Sequence, residues 1–436
     1  MRNLLTVLLC CTAFSCSVDN AVTRDEAFTI IMIPDTQNAV DFTRQKAEGF
    51  AIDSSEIFIN QMQHIAARSV SNGGDVAFVA SVGDVWQHVT SDTDPGHVAR
   101  GIEALRNIET GFERVVRPEG TLRFEIPKAI EGYQLISDEG IPFGVAPGNH
   151  DYDAWWAVAG PAANSEGSDL NSPVGSVPIN SMLHVGGLNN FRMAFGSDTD
   201  FFRDREWYVS GFEGGESSAQ VFSAGGYKFL HLAFELQAGD DVIAWAQDVV
   251  DEYAGLPTII STHDYLNSRG ERLPAEMDLA LVDPGENNSA EELWQEFIRK
   301  TDQVFMVLSG HQPGQAIRID ENDNGHEVYQ ILADFQIRGQ AGLDAGQALG
   351  PGGTIAGIGD GWFREMIFHV RDSDPRVDVK TYSSHYESYS SELETYAEWY
   401  KNREQPNMSD EQFLAAEEFS IKLADFHMRY GMLDEL

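Results

Sequence analysis

Short apolar runs recur along the chain, and each stops at a small polar cluster. Ala27 to Ile33 (AFTIIMI) is closed by Pro34 and followed by Asp35-Thr36-Gln37. Val76 to Val82 (VAFVASV) ends at Gly83-Asp84, and Ile141 to Pro147 leads into Gly148-Asn149-His150-Asp151. Leu256 to Ser261 ends at Thr262-His263-Asp264, and Gln303 to Ser309 (QVFMVLS) at Gly310-His311. Continuous apolar runs of this length, rich in β-branched residues, predict buried strands. Between them the spacing turns helical, as in Glu56 to Ser69, where Ile57, Ile59, Met62, Ile65 and Ala66 share a face. Glu125 to Ser137, Ile243 to Tyr253 and Ala290 to Lys300 repeat that spacing. Alternating strand and helix predict an α/β sheet. Further strands follow at Tyr227 to Leu236, Met366 to Val370 and Val377 to Tyr382, with a hairpin of Ala316 to Ile319 and Glu327 to Ala333. The fold class expected is α/β: two packed mixed β-sheets with helices outside.

The pattern dissolves in three places. Residues 1–15 have a short basic start and an apolar stretch too short to span a membrane, which reads as a signal peptide. Residues 16–26 form a polar tether, and 27–383 the main domain. From 153 to about 224 the chain is rich in Gly, Ser, Asn and Asp with interspersed aromatics, Trp155, Phe191, Phe195 and Trp207 among them. A stretch this long is expected to be an ordered insertion forming a rim over a site. Residues 384–436 are acidic and aromatic, a C-terminal helical extension. There Ser409 and Gln412 form a capping box that opens a helix carrying Phe413, Phe419, Leu423 and Phe426.

Composition narrows the picture. Of 436 residues, 69 are Asp or Glu and 29 Lys or Arg, a formal charge of −40. Such a surface repels nucleic-acid duplexes and anionic membranes. Cys10, Cys11 and Cys16 all lie in the leader, so the mature domain has neither a disulfide nor a thiolate metal site. Ala13-Phe14-Ser15-Cys16 is read as a bacterial lipoprotein cleavage box, with lipid on Cys16 and placement in the periplasm or at the cell surface. Ordinary cleavage near Val18 is the alternative. The lipid would be the chain's sole membrane contact.

Five strand ends thus carry Asp35, Asp84, Asn149 with His150, His263 and His311. Carboxylate, amide and imidazole together suit hard-to-borderline divalent metals. In this order the motifs resemble the calcineurin-like metallophosphoesterase superfamily, from Phe28 to Tyr382. The resemblance implies an αββα sandwich and two divalent metal ions, drawn from Mn, Fe, Zn, Mg or Ca. It implies that Asp84 bridges them, that Asp35 and Gln37 serve the first, and that Asn149, His263 and His311 complete the second. His150 would protonate the leaving group or stabilise the transition state, with water between the cations as nucleophile. Two cations about 3.5–4 Å apart clamp both the attacking and the leaving oxygen of an in-line displacement.

Two departures stand out. The family's D-x-H is Asp35-Thr36-Gln37 here, and its G-H-x-H is Gly310-His311-Gln312-Pro313. Both missing histidines would serve the first metal. The phrases IPDTQN, GDVWQH and LADFQIRG resemble an exported branch that carries D-T-Q, and Gln312, Gln336 and His88 are the candidates to complete the site. Arg338 and Arg364 are read as substrate-binding, gripping phosphate by bidentate contacts, against an equal alternative of ordinary ion pairs. The function expected is metal-dependent hydrolysis of a small phosphorylated substrate. Phosphodiester or cyclic-nucleotide cleavage at the same site is the enzymatic alternative. A surface lipoprotein that binds its ligand without turnover is the other.

Overall fold

The computed structural model describes residues 27–99, 115–157, 183–272, 279 and 286–431. The signal segment, Cys16, the tether and the middle of the insertion lie outside the described residues. The strands are β1 (Phe28–Ile33), β2 (Val76–Ser81), β3 (Phe143–Val145), β4 (Ala154–Ala157), β5 (Leu183–Gly186), β6 (Tyr208–Phe212), β7 (Ser217–Ala224) and β8 (Tyr227–Ala233). They continue with β9 (Thr258–Ser261), β10 (Val304–Ser309), β11 (Gly314–Glu321), β12 (Glu327–Asp334), β13 (Trp362–His369), β14 (Arg376–Ser383), β15 (Ser388–Tyr389) and β16 (Phe419–Lys422). The main helices are α1 (Ser54–Ala67), α2 (Ile126–Asp138), α3 (Asp240–Glu252), α4 (Ala290–Glu296), α5 (Tyr396–Glu404) and α6 (Asp410–Glu417). None of the helices among the described residues is long and apolar enough to cross a membrane.

Two mixed seven-stranded sheets form. One runs β15-β14-β13-β1-β2-β3 with β16 added beside β14, and the other runs β11-β12-β10-β9-β8-β7-β6. Period-two alternation decides how they pack. In β1, Phe28, Ile30 and Met32 join Phe229, Phe305 and Leu308 of the second sheet in a shared core. Ile31 and Ile33 point the other way, into a layer with Met62 and Ile65 of α1 and Ile136 of α2. On the outer face of the second sheet, Leu230 and Val307 meet Val249 of α3 and Trp294 of α4. The result is a helix–sheet–sheet–helix sandwich. Each fully buried Ile, Leu or Phe here contributes about 1.5–3 kcal/mol.

β1, β2 and β3 are mutually parallel, as are β8, β9, β10 and β12. Their carboxyl ends therefore open in one direction within each sheet. This is where open α/β sheets carry their sites.

Two regional expectations are corrected. The stretch 153–224 is not an insertion throughout, because β6 and β7 complete the second sheet. Sequence concealed β7 because Ser217, Ser218 and Gln220 are buried polar positions within it. Four of the region's aromatics do not form a rim: Phe191, Phe195, Phe201 and Phe202 are buried with Tyr133 and Phe143 against the first sheet. The C-terminal extension is not wholly helical either. The capping box at Ser409 forms, but the helix ends at Glu417 and Phe419–Lys422 becomes an edge strand on β14. Its F-S-I-K alternation has the period of a strand, with Ile421 buried and Ser420 and Lys422 outside.

Candidate metal centre

The loops after β1, β2, β3, β9 and β10 meet where the two sheets face each other. Asp35, Gln37, Asp84, Asn149 and His263 are each at most 3 % exposed, while His150 and His311 are partly open to solvent. Close approach of the turns depends on glycine. A Cβ on Gly83, whose φ is +106°, would stand 2.7 Å from Gly148 N, and one on Gly148 would stand 2.3 Å from Asp84 Oδ1. Asp84 and His311 have φ of 50° and 68°. A non-glycine residue held in the left-handed region costs of order 1–3 kcal/mol, and such strain gathers at functional sites. Asp151 staples the two turns together. Its Oδ1 accepts Val85 N at 2.8 Å and its Oδ2 accepts Gly148 N at 2.8 Å, so it serves the scaffold and does not face the ligands.

His263 is the centre of one half of the site. Its Nδ1 lies 2.9 Å from the Val82 carbonyl, an acceptor only, so Nδ1 carries the proton. The lone pair on Nε2 then faces Asn149 Oδ1 at 2.9 Å, Asp84 Oδ1 at 3.2 Å and His311 Nδ1 at 3.2 Å. Four candidate ligand atoms thus converge in a buried space, an arrangement that a cation or an added proton would relieve. Between the side chains alone, burial lowers the His263 imidazole, but Asp84 and Asp35 outweigh it and raise it to about 10. Burial pushes Asp84 up, and His263 and His150 hold it below the usual carboxylate range.

The other oxygen of Asp84 faces the second half. Asp84 Oδ2 accepts Gln37 Nε2 at 2.9 Å, and Gln37 Oε1 is buried with no hydrogen-bond partner. Asp35 accepts the backbone N–H of His311 at 3.1 Å. Burial and the nearby Asp334 raise the Asp35 carboxyl well above its usual value. Asp334 escaped the sequence reading, because it stands inside the predicted LADFQIRG phrase with no glycine before it. Register locates it: Ser309 pairs with Leu332, so His311 and Asp334 each stand two residues past that pair. Asp334 is fully buried, held by Gln336 N at 2.8 Å and Gln336 Nε2 at 2.9 Å, and burial raises its carboxyl to about 7.

His150 sits over the mouth. Its backbone N donates to Asp84 Oδ1 at 2.8 Å, and its Nε2 is 4.0 Å from Asp84 Oδ2. Its Nδ1 lies 2.5 Å from the Gln87 carbonyl, so this ring too carries its proton on Nδ1. Trp155 packs edge to face on it at 4.6 Å between centroids.

Several sequence candidates lie elsewhere. Arg338 and Arg364 do not line the site, and the substrate-binding role is corrected. Arg338 is fully buried and binds Glu404 through Nε and Nη2, each at 2.8 Å, and Glu417 at 2.8 Å. Arg364 donates to the carbonyls of Glu417 at 3.0 Å and Ala416 at 3.1 Å, satisfying the end of α6. Gln336 supports the site from behind, accepting Gln37 Nε2 at 2.6 Å while holding Asp334. His88 faces away, its Nδ1 2.7 Å from Glu125 Oε1.

Two buried groups among the described residues have the donors to hold a metal ion: Asp84, His263 and His311, and separately Asp41, His88 and Glu125. They differ in what else their atoms do. In the second group Asp41 is taken by Thr43 and Arg44, and both oxygens of Glu125 accept backbone N–H groups. In the first group three candidate ligand atoms, counting Asn149 Oδ1, lie within 3.2 Å of His263 Nε2, whereas in the second Asp41 stands 4.0 Å from His88 Nδ1.

No family model matches the chain. It is similar to YvnB of Bacillus subtilis (strain 168), an uncharacterized protein, at 25 % identity over 255 residues. That match takes in 57 % of this chain and 15 % of that relative's length. Among solved structures it is similar to GAP50, the anchor in the inner membrane complex of Plasmodium, at 10 % identity and a TM-score of 0.31, over 83 % of this chain and 86 % of that one.

Proposed function

We propose that this chain is a metal-dependent hydrolase of phosphoric esters, of the calcineurin-like metallophosphoesterase kind, acting on a small exported-compartment substrate. The observation that carries the reading is the convergence of Asp84, Asn149 and His311 on Nε2 of His263, whose other ring nitrogen is bound to a carbonyl. A ligating histidine takes this form, its second N–H fixed by an outer partner. His263, His311, Asn149 and Asp84 Oδ1 would hold one ion. Asp35, Asp84 Oδ2, Gln37 through its unpartnered oxygen, and Asp334 would hold the other. The missing histidines of the first site would thus be made up by oxygen donors. When bound, the cations would neutralise phosphoryl charge and supply an activated water. His150 would hold the leaving oxygen's proton at Nε2, since its Nδ1–H is committed to Gln87. The export part of the proposal rests on the leader and Cys16.

Elemental analysis of the purified protein and a screen of monoesters, diesters and cyclic nucleotides with Mn, Zn, Mg and Ca test this reading. Bound divalent metal with turnover of at least one ester class is expected. A metal-loaded protein silent toward all of them would replace the hydrolase with a ligand-binding lipoprotein.

A further inference from the structure

A single peptide group stands between a buried carboxylate and His150. Its carbonyl end, Gln87 O, accepts His150 Nδ1–H at 2.5 Å. Its amide end, His88 N, donates to Glu125 Oε2 at 3.0 Å. Glu125 is fully buried, and the same oxygen also accepts Gln87 N at 3.2 Å. Its other oxygen accepts Phe42 N at 3.2 Å and faces His88 Nδ1 at 2.7 Å. Glu125 closes a wide turn, Thr121–Glu125, in which Ile126 N reaches back to Thr121 O. Such π turns within helices recur at functional sites. From the start of that turn Thr121 Oγ1 donates to the His88 carbonyl at 2.9 Å. The turn therefore grips residue 88 at both its N–H and its C=O.

We propose that Glu125 is a positioning residue for His150, acting through the Gln87–His88 peptide. A carboxylate on the amide end draws that N–H and concentrates negative charge on the carbonyl oxygen. Linked hydrogen bonds polarise one another by roughly 10–30 % per bond. The strengthened carbonyl fixes His150 with its proton on Nδ1 and its Nε2 toward Asp84. Among the described residues Nδ1 of His150 bonds a backbone carbonyl and not a side-chain carboxylate, and the peptide stands in for one. The mechanistic part rests on the hydrolase reading, in which His150 holds a proton at Nε2. The tautomer part does not.

The test uses zinc-loaded, full-chain protein with 15N-labelled histidine. In the wild type the neutral His150 ring should carry its proton on Nδ1, and Glu125→Gln should shift that Nδ1 resonance and populate the Nε2–H form. With an alkyl phosphate, Glu125→Gln should lower kcat by about 10–100-fold at unchanged KM and metal content, the usual range for an outer partner of a site histidine. In a His150→Ala background the same substitution should change kcat by less than about twofold, because residues acting as a unit are not additive. Should Glu125→Gln misfold, Thr121→Val loosens the same peptide while leaving Glu125 in place and should move the same resonance less. An Nε2–H wild-type ring, or an undiminished Glu125→Gln effect without His150, overturns the proposal. A protein inactive toward every ester would sink the hydrolase reading, and the tautomer shift would still decide the role of Glu125.

Discussion

Replacing Arg338 by Met decides whether that residue serves substrate or scaffold. The guanidinium makes three bonds of 2.8 Å to Glu404 and Glu417, carboxylates at most 1 % exposed. Its carbon centre lies 3.8 Å from the Phe335 ring centroid. Arg338→Met fills much of the volume but strands both acids in the interior. Removing one partner of a buried ion pair costs about 3–5 kcal/mol. With a urea slope of about 3 kcal/mol/M, the midpoint falls by roughly 1–1.7 M. Acid should narrow the gap, because burial already raises Glu404, whose stranded carboxyl can take up a proton. The triple variant Arg338→Met, Glu404→Gln, Glu417→Gln should regain most of the loss, since the penalty lies in the unpaired charges. Equilibrium urea denaturation at pH 7 and pH 5 is the assay, with KM for a turned-over ester measured on the folded variant. An unchanged midpoint with a KM raised tenfold would refute the scaffold role and return Arg338 to the substrate.

Three other outcomes are expected. In graded chelation followed by elemental analysis, metal should leave in two steps, with the oxygen-only half around Asp35 and Gln37 emptying before the half with His263 and His311, because imidazole binds borderline metals more tightly; simultaneous release counts against the asymmetry. His150→Ala should lower turnover by about 10²–10⁴-fold with metal content intact and spare substrates with good leaving groups, while loss of metal in that variant would make His150 structural. His231 donates from Nδ1 to Gln220 Oε1 at 2.7 Å and lies 2.8 Å from Ser261 Oγ through Nε2, and burial lowers it from 6.5 to about 3. It stays neutral when folded but charges when unfolded, so its effect is absent above pH 6.5 and stability then falls by up to about 1.4 kcal/mol per pH unit toward pH 3. Urea midpoints between pH 7 and pH 4.5 should decline less steeply in His231→Gln, and equal slopes would dismiss the assignment.

The candidate ligand positions are legible because they are local. A residue that closes a buried parallel strand must emerge at the sheet's carboxyl edge, and that follows from the strand alone. Asp35, Asp84, Asn149, His150, His263 and His311 could therefore be named from runs of six or seven letters. The residues that were missed or misplaced have roles set by partners far away in sequence. Arg338 finds its acids 66 and 79 positions later, in an extension whose sequence says only that it is acidic. Glu125 reads as an ordinary first-turn acid of a helix until His88 is seen against it from 37 residues upstream. Asp334 follows an apolar run as the others do, but with neither a glycine before it nor a histidine after it. Its place at the site comes from the register of β12 on β10.

The same contrast bears on what holds the site in shape. Asp84 and His311 keep left-handed backbones that an isolated chain would abandon. Asp151 restrains the first through its bond to Val85 N, and Asp35 the second by accepting His311 N. Glu125 and Thr121 then fix the peptide that aims His150. Each restraint is an acid or hydroxyl from one loop closed on the backbone of another, and none is itself a hydrophobic contact. Strain of a few kcal/mol is tolerable here because the sandwich beneath is buried on both faces of each sheet. Loosening one of these closures should therefore disturb geometry at the mouth well before it unfolds the sheets.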